Sequence, residues 1–158
     1  MPVARPSCRR RLRCQRFPRR PQAALGAHGP ARGSVAELQL RKQFRFEAAH
    51  VLPFHPGKCA RMHGHSYRLE VAITGPVQTE GPSRGMVEDF DEIERIVAER
   101  IVDRFDHQNL NDFVENPTAE NLLLWIWQHL ADDLPGLDEL VLWETTTACA
   151  ILRKSMSS

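Results

Sequence analysis

The chain has 158 residues, of which 42% are hydrophobic and 26% charged. This length suits one domain with its own hydrophobic core and is too short for a second full domain. The net charge of +1 conceals a division, since residues 1–36 contain 9 arginines and no acidic residue, whereas 12 basic residues accompany 20 acidic ones from Glu37 onward. The longest good apolar run, Leu122 to Trp127, is far shorter than the about 20 residues that a transmembrane helix needs, so we expect no membrane span.

The first 36 residues are rich in Arg, Pro, Ala and Gly and lack both helical and strand periodicity, which predicts a disordered extension or a misassigned start. Residues 18–21 (Pro-Arg-Arg-Pro) interrupt the apolar run that a secretory signal needs. A targeting segment and a nucleic-acid-binding tail remain open alternatives. Because the net charge from Glu37 onward is −8, only the extension could contact phosphates, and we do not expect a nucleic-acid partner.

The four cysteines form no CxxC pair, and two of them, Cys8 and Cys14, lie in the extension. A disulfide framework is therefore not expected, and a reducing compartment fits better. With neither a secretory signal nor a membrane span, the expected location is the cytoplasm.

Two segments alternate apolar and polar residues with the period of a half-buried β-strand. They run from Leu38 to His50 and from His63 to Ile73, and each carries histidine on its apolar face. Residues 51–62 lie between them and contain two prolines and a glycine, which makes the segment too irregular for a regular element and too long for a tight turn. We interpret it as a functional loop.

Two helices are predicted after these strands. A short strand over Gly85 to Val87 is expected to precede the first helix, which Asp89 caps with Glu92 three residues on. Pro117-Thr118 opens the second helix, and Pro135-Gly136 closes it. The apolar residues with helical spacing are Phe90, Ile93, Ile96, Val97 and Ile101 in the first helix and Leu122, Leu123, Ile126, Trp127 and Leu130 in the second.

The last segment, Leu137 to Leu152, is rich in β-forming residues on both faces, which predicts a strand covered by helices on one side and by something else on the other. The order strand, strand, helix, helix, strand predicts an α+β fold with the helices on one face of the sheet. We expect this domain to span residues 37–154 and to be followed by a short tail at 155–158.

Three histidines are placed to converge on one metal ion. His63 and His65 are two residues apart on a strand, so both imidazoles point to one face, and His50 ends the preceding strand on its own apolar face. Three protein ligands and one open position are typical of catalytic zinc, although three imidazoles also suit other divalent ions. Gly64 would let another backbone approach closely. The alternative is a set of core or solvated histidines without a metal, and the loop histidine, His55, has no strong claim as a ligand.

Cys59 lies four residues before His63, in the loop expected to overhang the metal. Lys58 and Arg61 flank it, and nearby cations favour the thiolate, which is the form that acts as a base or nucleophile. Inert packing is the alternative, but a cysteine between two cations in a loop with Pro and Gly is poorly placed for a core.

Asp106-His107 follows the first predicted helix, and a carboxylate that holds an imidazole in one tautomer is a recurring device of acid–base catalysis. An ordinary surface turn is the alternative.

Glu144 shares a strand side with Leu140 and Leu142, and a buried carboxylate is costly unless it meets donors. Two N–H groups in a fork, such as those on the guanidine-like edge of a pterin, would supply them, whereas an exposed glutamate on an edge strand is the alternative reading.

Several segments together resemble the 6-pyruvoyl-tetrahydropterin synthase family. They are residues 44–50 (FRFEAAH), 59–67 (CARMHGHSY), 86–87 with 90–91 (MV and FD), 106–111 (DHQNLN), 116–121 (NPTAEN) and 143–145 (WET). The spacing of Cys59 to His63 and the Ala48-Ala49-His50 run resemble the bacterial carboxy-forming branch, which acts in queuosine biosynthesis, more than the pyruvoyl-forming branch.

The resemblance implies a tunnelling fold, in which an antiparallel sheet with two helices on one face joins the sheets of other subunits into a barrel. It also implies a homohexamer built from two trimers, an active site between subunits and a small-molecule pterin substrate. The site residues it implies are His50, His63 and His65 as zinc ligands, Cys59 as the base, Asp106 and His107 as its relay, and Glu144 with Thr145 as the pterin anchor. The implied activity is that of a zinc-dependent lyase that forms 6-carboxy-5,6,7,8-tetrahydropterin, with pyruvoyl formation or a non-catalytic pterin-binding relative as alternatives.

Overall fold

The structure, a computed structural model, describes residues 37–154, which form a five-stranded sheet with two helices. The strands are β1 (Leu38–His50), β2 (His63–Gly75), β3 (Gln108–Asn109), β4 (Leu137–Trp143) and β5 (Cys149–Arg153). Their order in the sheet is β3-β1-β2-β4-β5, and every pair is antiparallel except β1 with β3. The predictions for the extension (1–36) and the tail (155–158) lie outside the described residues.

Both helices begin where the sequence predicts them. Helix α1 (Phe90–Val97) continues through a π-helical turn, Ala98–Val102, and a last α-helical turn, Asp103–Phe105. Helix α2 spans Ala119–Leu130. The Asp89 side chain accepts the backbone N–H of Asp91, and the Thr118 side chain caps α2 in the same way, so each cap satisfies an otherwise unpaired amide. Within residues 37–154 no helix is long and apolar enough to cross a membrane.

The hydrophobic core lies between the helices and one face of the sheet. On β1, the alternation predicted from the sequence is observed, since Phe44, Phe46 and Ala48 are buried whereas Arg45 and Glu47 are exposed. The sheet and the helices contribute to one cluster, whose fully buried members include Tyr67, Leu69, Ile93, Ile101, Phe105, Leu122, Ile126 and Leu140. Burial of this apolar surface fixes the register of β1 against β2, because a slip of one residue would turn every core side chain toward solvent.

Two predictions of local structure are wrong, and one short strand has no counterpart among the predictions. The expected strand at Gly85 to Val87 is instead a turn, closed by hydrogen bonds between Gln78 and both Gly85 and Met86, with Gly85 at a positive φ of 90° that interrupts an extended chain. The final segment is two strands, β4 and β5, joined by a turn. The short strand β3 carries no sequence signal, because its two residues are extended only by pairing with Ala48 and Ala49 of β1.

The face of the sheet without helices is polar, and at one end its charges are paired. Glu139 on β4 is only 6% exposed and accepts hydrogen bonds from Arg153 and Arg41. Arg41 also donates to Glu70, at 2.6 Å. Burial alone would raise the pKa of Glu139, but the hydrogen bonds from the two arginines outweigh it and lower the pKa below its ordinary value of 4.5.

We expect Glu139→Gln to lower the free energy of unfolding by about 1–3 kcal/mol at pH 7. The neutral amide cannot replace the charge-assisted hydrogen bonds that the Glu139 carboxylate accepts from the two guanidinium groups. A carboxylate with a lowered folded pKa stabilises the protein above its unfolded pKa, and this stabilisation is lost as pH falls through the folded pKa. Urea unfolding of both proteins should therefore show a difference at pH 7 that shrinks below about pH 4. The matched control, Glu99→Gln in an exposed ion pair with Arg95, should change stability by less than about 1 kcal/mol. An equal difference for Glu139→Gln at both pH values would contradict this account.

Candidate active site

Three histidines converge at the end of the β1–β2 pair, as the sequence predicts. His50 lies opposite His63 in the antiparallel register, and His65 follows two residues later on the same side of β2. One nitrogen from each ring lies within 4.8 Å of the other two. Strand pairing thus positions two of the ligands, and the pleat of β2 positions the third.

The hydrogen bonds of the histidines leave their inward nitrogens free to bind a cation. His50 Nδ1 lies 2.9 Å from the carbonyl oxygen of Pro117, and His63 Nδ1 lies 2.7 Å from that of Arg61. Because a carbonyl only accepts, both Nδ1 atoms carry the proton and both Nε2 atoms present lone pairs, 3.1 Å from each other. Two facing lone pairs repel unless a cation lies between them.

The third ring supports the same conclusion. His65 Nε2 is buried and has no hydrogen-bond partner among the described residues, which is costly for a polar atom unless it binds something else. Burial lowers the pKa of His50 and of His65, so both rings are neutral near pH 7 and can act as ligands. The three residues therefore fit a metal ion of the kind that prefers imidazole.

Glu144 follows β4 directly and reaches the histidine cluster. Its Oε1 atom lies 3.5 Å from His50 Nε2 and 3.8 Å from His65 Nε2, and the Tyr67 hydroxyl lies 3.4 Å away. The carboxylate is 28% exposed and β4 is an inner strand, so the alternative of an exposed glutamate on an edge strand is wrong. Burial raises the pKa of Tyr67 strongly, so its hydroxyl keeps its proton and donates to Glu144.

Cys59 lies beside the cluster in the loop between β1 and β2. The loop folds back on itself, since the Leu52 amide donates to the Cys59 carbonyl at 2.9 Å, and residues 58–60 form one 3₁₀ turn. A cleft of about 560 Å³ results, and the side chains that line it include all three histidines, Cys59, Lys58, Arg61, Glu144 and Thr145. Most of the predicted site residues are thus gathered in one cleft. The Thr145 hydroxyl also accepts the Ala148 amide and so holds the turn before β5.

Asp106 and His107 form the predicted pair but lie outside this cleft. His107 Nδ1 lies 2.9 Å from Asp106 Oδ2, and the other oxygen of Asp106 accepts the Glu47 amide. The two side chains can meet because they lie in a turn in which His107 has a positive φ of 59°. Hydrogen bonds from Glu47 and His107 lower the pKa of Asp106. The His107 side chain is 77% exposed and lines a neighbouring cleft that shares Met62 and His65 with the first.

Sequence reasoning missed three residues that support the site. Asn111 binds the amide and the carbonyl of Val51, at 2.8 and 2.9 Å, and so fixes the chain directly after His50. Pro117 supplies the carbonyl that orients His50, and Tyr67 donates to Glu144. Asn111 lies in a polar turn whose side chains could have been considered as partners. No sequence signal reveals a backbone carbonyl 67 residues away from its histidine.

Comparisons with known proteins agree on the family. The 6-pyruvoyl tetrahydropterin synthase family model matches residues 39–155. A 6-carboxy-5,6,7,8-tetrahydropterin synthase of Synechocystis is 41% identical over 113 residues, covering 69% of this chain and 88% of that protein. A dihydroneopterin monophosphate aldolase of Pyrococcus furiosus is 37% identical and covers 63% of this chain and 82% of its own length. The structure of a 6-pyruvoyl tetrahydropterin synthase of Caenorhabditis elegans superimposes with a TM-score of 0.67 at 25% identity, covering 77% of this chain and 98% of that one.

The fold and these matches define a pterin-processing lyase. The chain belongs to the 6-pyruvoyl tetrahydropterin synthase family, which confirms the resemblance predicted from its motifs. The predicted α+β sheet with two helices is also confirmed for the single subunit, whereas the joining of subunit sheets into a barrel stays a prediction.

Proposed function

We propose that this chain is a zinc-dependent lyase that converts 7,8-dihydroneopterin triphosphate and water to 6-carboxy-5,6,7,8-tetrahydropterin, acetaldehyde and triphosphate, a step of queuosine biosynthesis. The observation that carries the proposal is the single cleft in which a three-histidine site, Cys59 and Glu144 meet. The 41% identity to a 6-carboxy-5,6,7,8-tetrahydropterin synthase favours the carboxy product.

Glu144, the three histidines and Cys59 each have a task in this reaction. Glu144 accepts two N–H groups from the pterin edge, which orients the ring and its side chain. His50, His63 and His65 would hold zinc, which when bound polarises the side-chain oxygens of the substrate. Cys59, as the thiolate, removes a proton from a side-chain carbon and later returns one, which opens the path to cleavage of the carbon–carbon bond that releases acetaldehyde.

The Asp106-His107 pair completes the proton relay in a neighbouring subunit. Within one chain, His107 and Cys59 line different clefts, and His107 is largely exposed. A second copy placed against this face would bring an exposed imidazole, already oriented by a carboxylate, to the thiol of the first copy. We therefore propose a homohexamer of two trimers with active sites between subunits. In this arrangement Asp106 keeps His107 in one tautomer so that its outward nitrogen exchanges protons with Cys59.

The second candidate is formation of the 6-pyruvoyl product. The family model and the superimposed structure both carry that name, and the same seven residues would serve either reaction. A non-catalytic pterin-binding protein is less well supported, because it would have no use for Cys59 together with Asp106 and His107.

Product analysis distinguishes these functions. Purified full-length chain loaded with zinc and given 7,8-dihydroneopterin triphosphate is expected to yield a pterin with a carboxyl side chain, detected by mass spectrometry, and an equal amount of acetaldehyde. The Cys59→Ala protein, prepared in the same way, serves as the matched blank. A pyruvoyl side chain without acetaldehyde would assign the second candidate instead, and an unchanged substrate would exclude both reactions.

A further inference from the structure

A row of three side chains crosses the sheet on the face away from the helices. Arg45 on β1 lies directly opposite Arg68 on β2, and Arg68 lies directly opposite Trp143 on β4. Their chain neighbours Phe46, Leu69 and Leu142 are buried on the helix side, which places the row on the polar face. Like charges directly opposite each other on neighbouring strands destabilise a sheet.

Neither arginine of the row forms an ion pair among residues 37–154, although Arg68 lies close enough to Glu70 to contribute to lowering the pKa of that carboxyl. On the same face, Arg41 pairs with Glu70 and Glu139, and Arg153 pairs with Glu139. The guanidinium groups of Arg45 and Arg68 make no ion pair or hydrogen bond within the part of the chain that the structure describes. The arginines at one end of the polar face are therefore neutralised by carboxylates. At the other end, Arg45 and Arg68 lie side by side without an ion pair.

Arg68 is held in place although it lacks a partner. Its guanidinium carbon lies 4.5 Å from the centre of the Trp143 ring, which is a cation–π arrangement that orients the flat group. Its Nε atom is fully buried and bonded to nothing among the described residues. A buried N–H without an acceptor is costly, and an oxyanion bound to the same guanidinium group would offset part of that cost.

A cleft of about 270 Å³ opens over this row, lined by both arginines, Trp143, Ser66 and Thr145 among others. Glu47 also lines it, but its carboxylate accepts the Ser66 hydroxyl at 2.7 Å and forms no ion pair with either arginine. The charge of the lining remains positive, although the chain from Glu37 onward is acidic. Thr145 also lines the metal cleft, so the two clefts adjoin.

We propose that Arg45 and Arg68 form a binding site for a phosphoryl oxyanion, with Trp143 orienting Arg68. Two guanidinium groups supply several N–H donors in fixed planes, which match the tetrahedral oxygens of phosphate better than a point charge does. The oxyanion offsets the repulsion between the two arginines and accepts N–H groups from the ends of their guanidinium groups. It comes either from the triphosphate of the pterin substrate, a source that rests on the proposed function, or from free inorganic phosphate.

The binding test uses inorganic phosphate and the zinc-loaded full chain in a phosphate-free buffer, so it does not depend on turnover. Calorimetric titration is expected to show one phosphate per chain, with affinity that falls as salt is added. Arg68→Gln should weaken binding by about tenfold or more, since it removes a charge-assisted donor, and Arg45→Gln should act in the same direction. Arg84→Gln, the same change at an exposed turn, is the matched control and should bind as the wild type does.

Thermal unfolding tests the same binding in a variant whose stability is altered, because the shift in Tm on adding phosphate is compared within each protein. Phosphate should raise the Tm of the wild type and of Arg84→Gln but not that of Arg68→Gln. Lys58→Gln, which removes a cation from the metal cleft, should keep the response. Loss of phosphate binding in Lys58→Gln with normal binding in Arg68→Gln would place the anion in the metal cleft and overturn the proposal. Absence of phosphate binding in the wild type, with an altered oligomeric state of Arg68→Gln on gel filtration, would show that the arginines pair with another subunit and would also overturn it.

Turnover then identifies the source of the oxyanion. If the substrate supplies it, Arg68→Gln raises KM with little change in kcat, and free phosphate competes with the substrate. If free phosphate occupies the site, KM is unchanged and phosphate does not compete. Failure of turnover in every protein would reject the proposed function while the binding result stands.

Discussion

Replacing Cys59 by alanine is expected to abolish turnover while the protein keeps its metal. Cys59 lines the cleft beside the three histidines but is not one of the converging ligands, so its loss removes a proton-transfer group and leaves the metal site intact. Loss of a general base slows an enzyme by about 10²–10⁴-fold, and here no other thiol lines the cleft among the described residues. Steady-state product formation and metal analysis of the same preparation measure both effects.

Cys149 provides the matched control. It is the other free cysteine of residues 37–154, it is exposed on β5, and it does not line the metal cleft. Cys149→Ala should keep wild-type activity and metal content. If Cys59→Ala retained near-normal activity, another group would be the base, and loss of metal in that variant would show that the thiol serves as a ligand instead.

His63→Ala is expected to lose both the metal and the activity. Two histidines would remain, fewer than the three protein ligands that catalytic zinc sites use. His63 is the best ligand to remove because it is only half-buried, whereas His50 is completely buried and also binds the Pro117 carbonyl. Metal analysis after dialysis should fall from about one zinc per chain to near zero, as three-ligand catalytic sites require.

Stability measured with and without zinc gives an independent readout. A ligand present at about 1,000 times its Kd stabilises the folded state by about 4 kcal/mol, so zinc should raise the Tm of the wild type and not that of His63→Ala. His55→Ala is the matched control, since His55 is exposed in the same loop and its side chain accepts a hydrogen bond from the Gly57 amide rather than facing the histidine cluster. Equal zinc stabilisation of His63→Ala and the wild type would refute the three-histidine site.

Local sequence predicted the parts of the fold that depend on near neighbours. The alternation along β1 and β2 follows from burial of one face, and the caps at Asp89 and Thr118 follow from side chains that bind amides two and three residues away. The turn at Gly85 to Val87, where the sequence predicts a strand, depends on hydrogen bonds to Gln78 across the loop.

The candidate site likewise has parts that the sequence predicts and parts that it does not. The positions of His50, His63 and His65 on one face could be predicted, because the two-residue period of a strand fixes which side each ring takes. The motif residues Cys59, Asp106, His107 and Glu144 could be named as well, but not which of them share a cleft. The structure brings Cys59 and Glu144 to the histidines and leaves the Asp106-His107 pair outside their cleft, with His107 lining the adjoining one.

The sequence by itself determined the three-histidine face, the helix starts and the family, because period, capping and motif are properties of residues close together in the chain. Only the tertiary structure decided that the carbonyl of Pro117 orients His50, that Tyr67 donates to Glu144, and that Arg68 stacks on Trp143. Each of these contacts joins residues more than 60 positions apart. They exist because burial of one shared core sets the register and the strand order, and no local pattern records that.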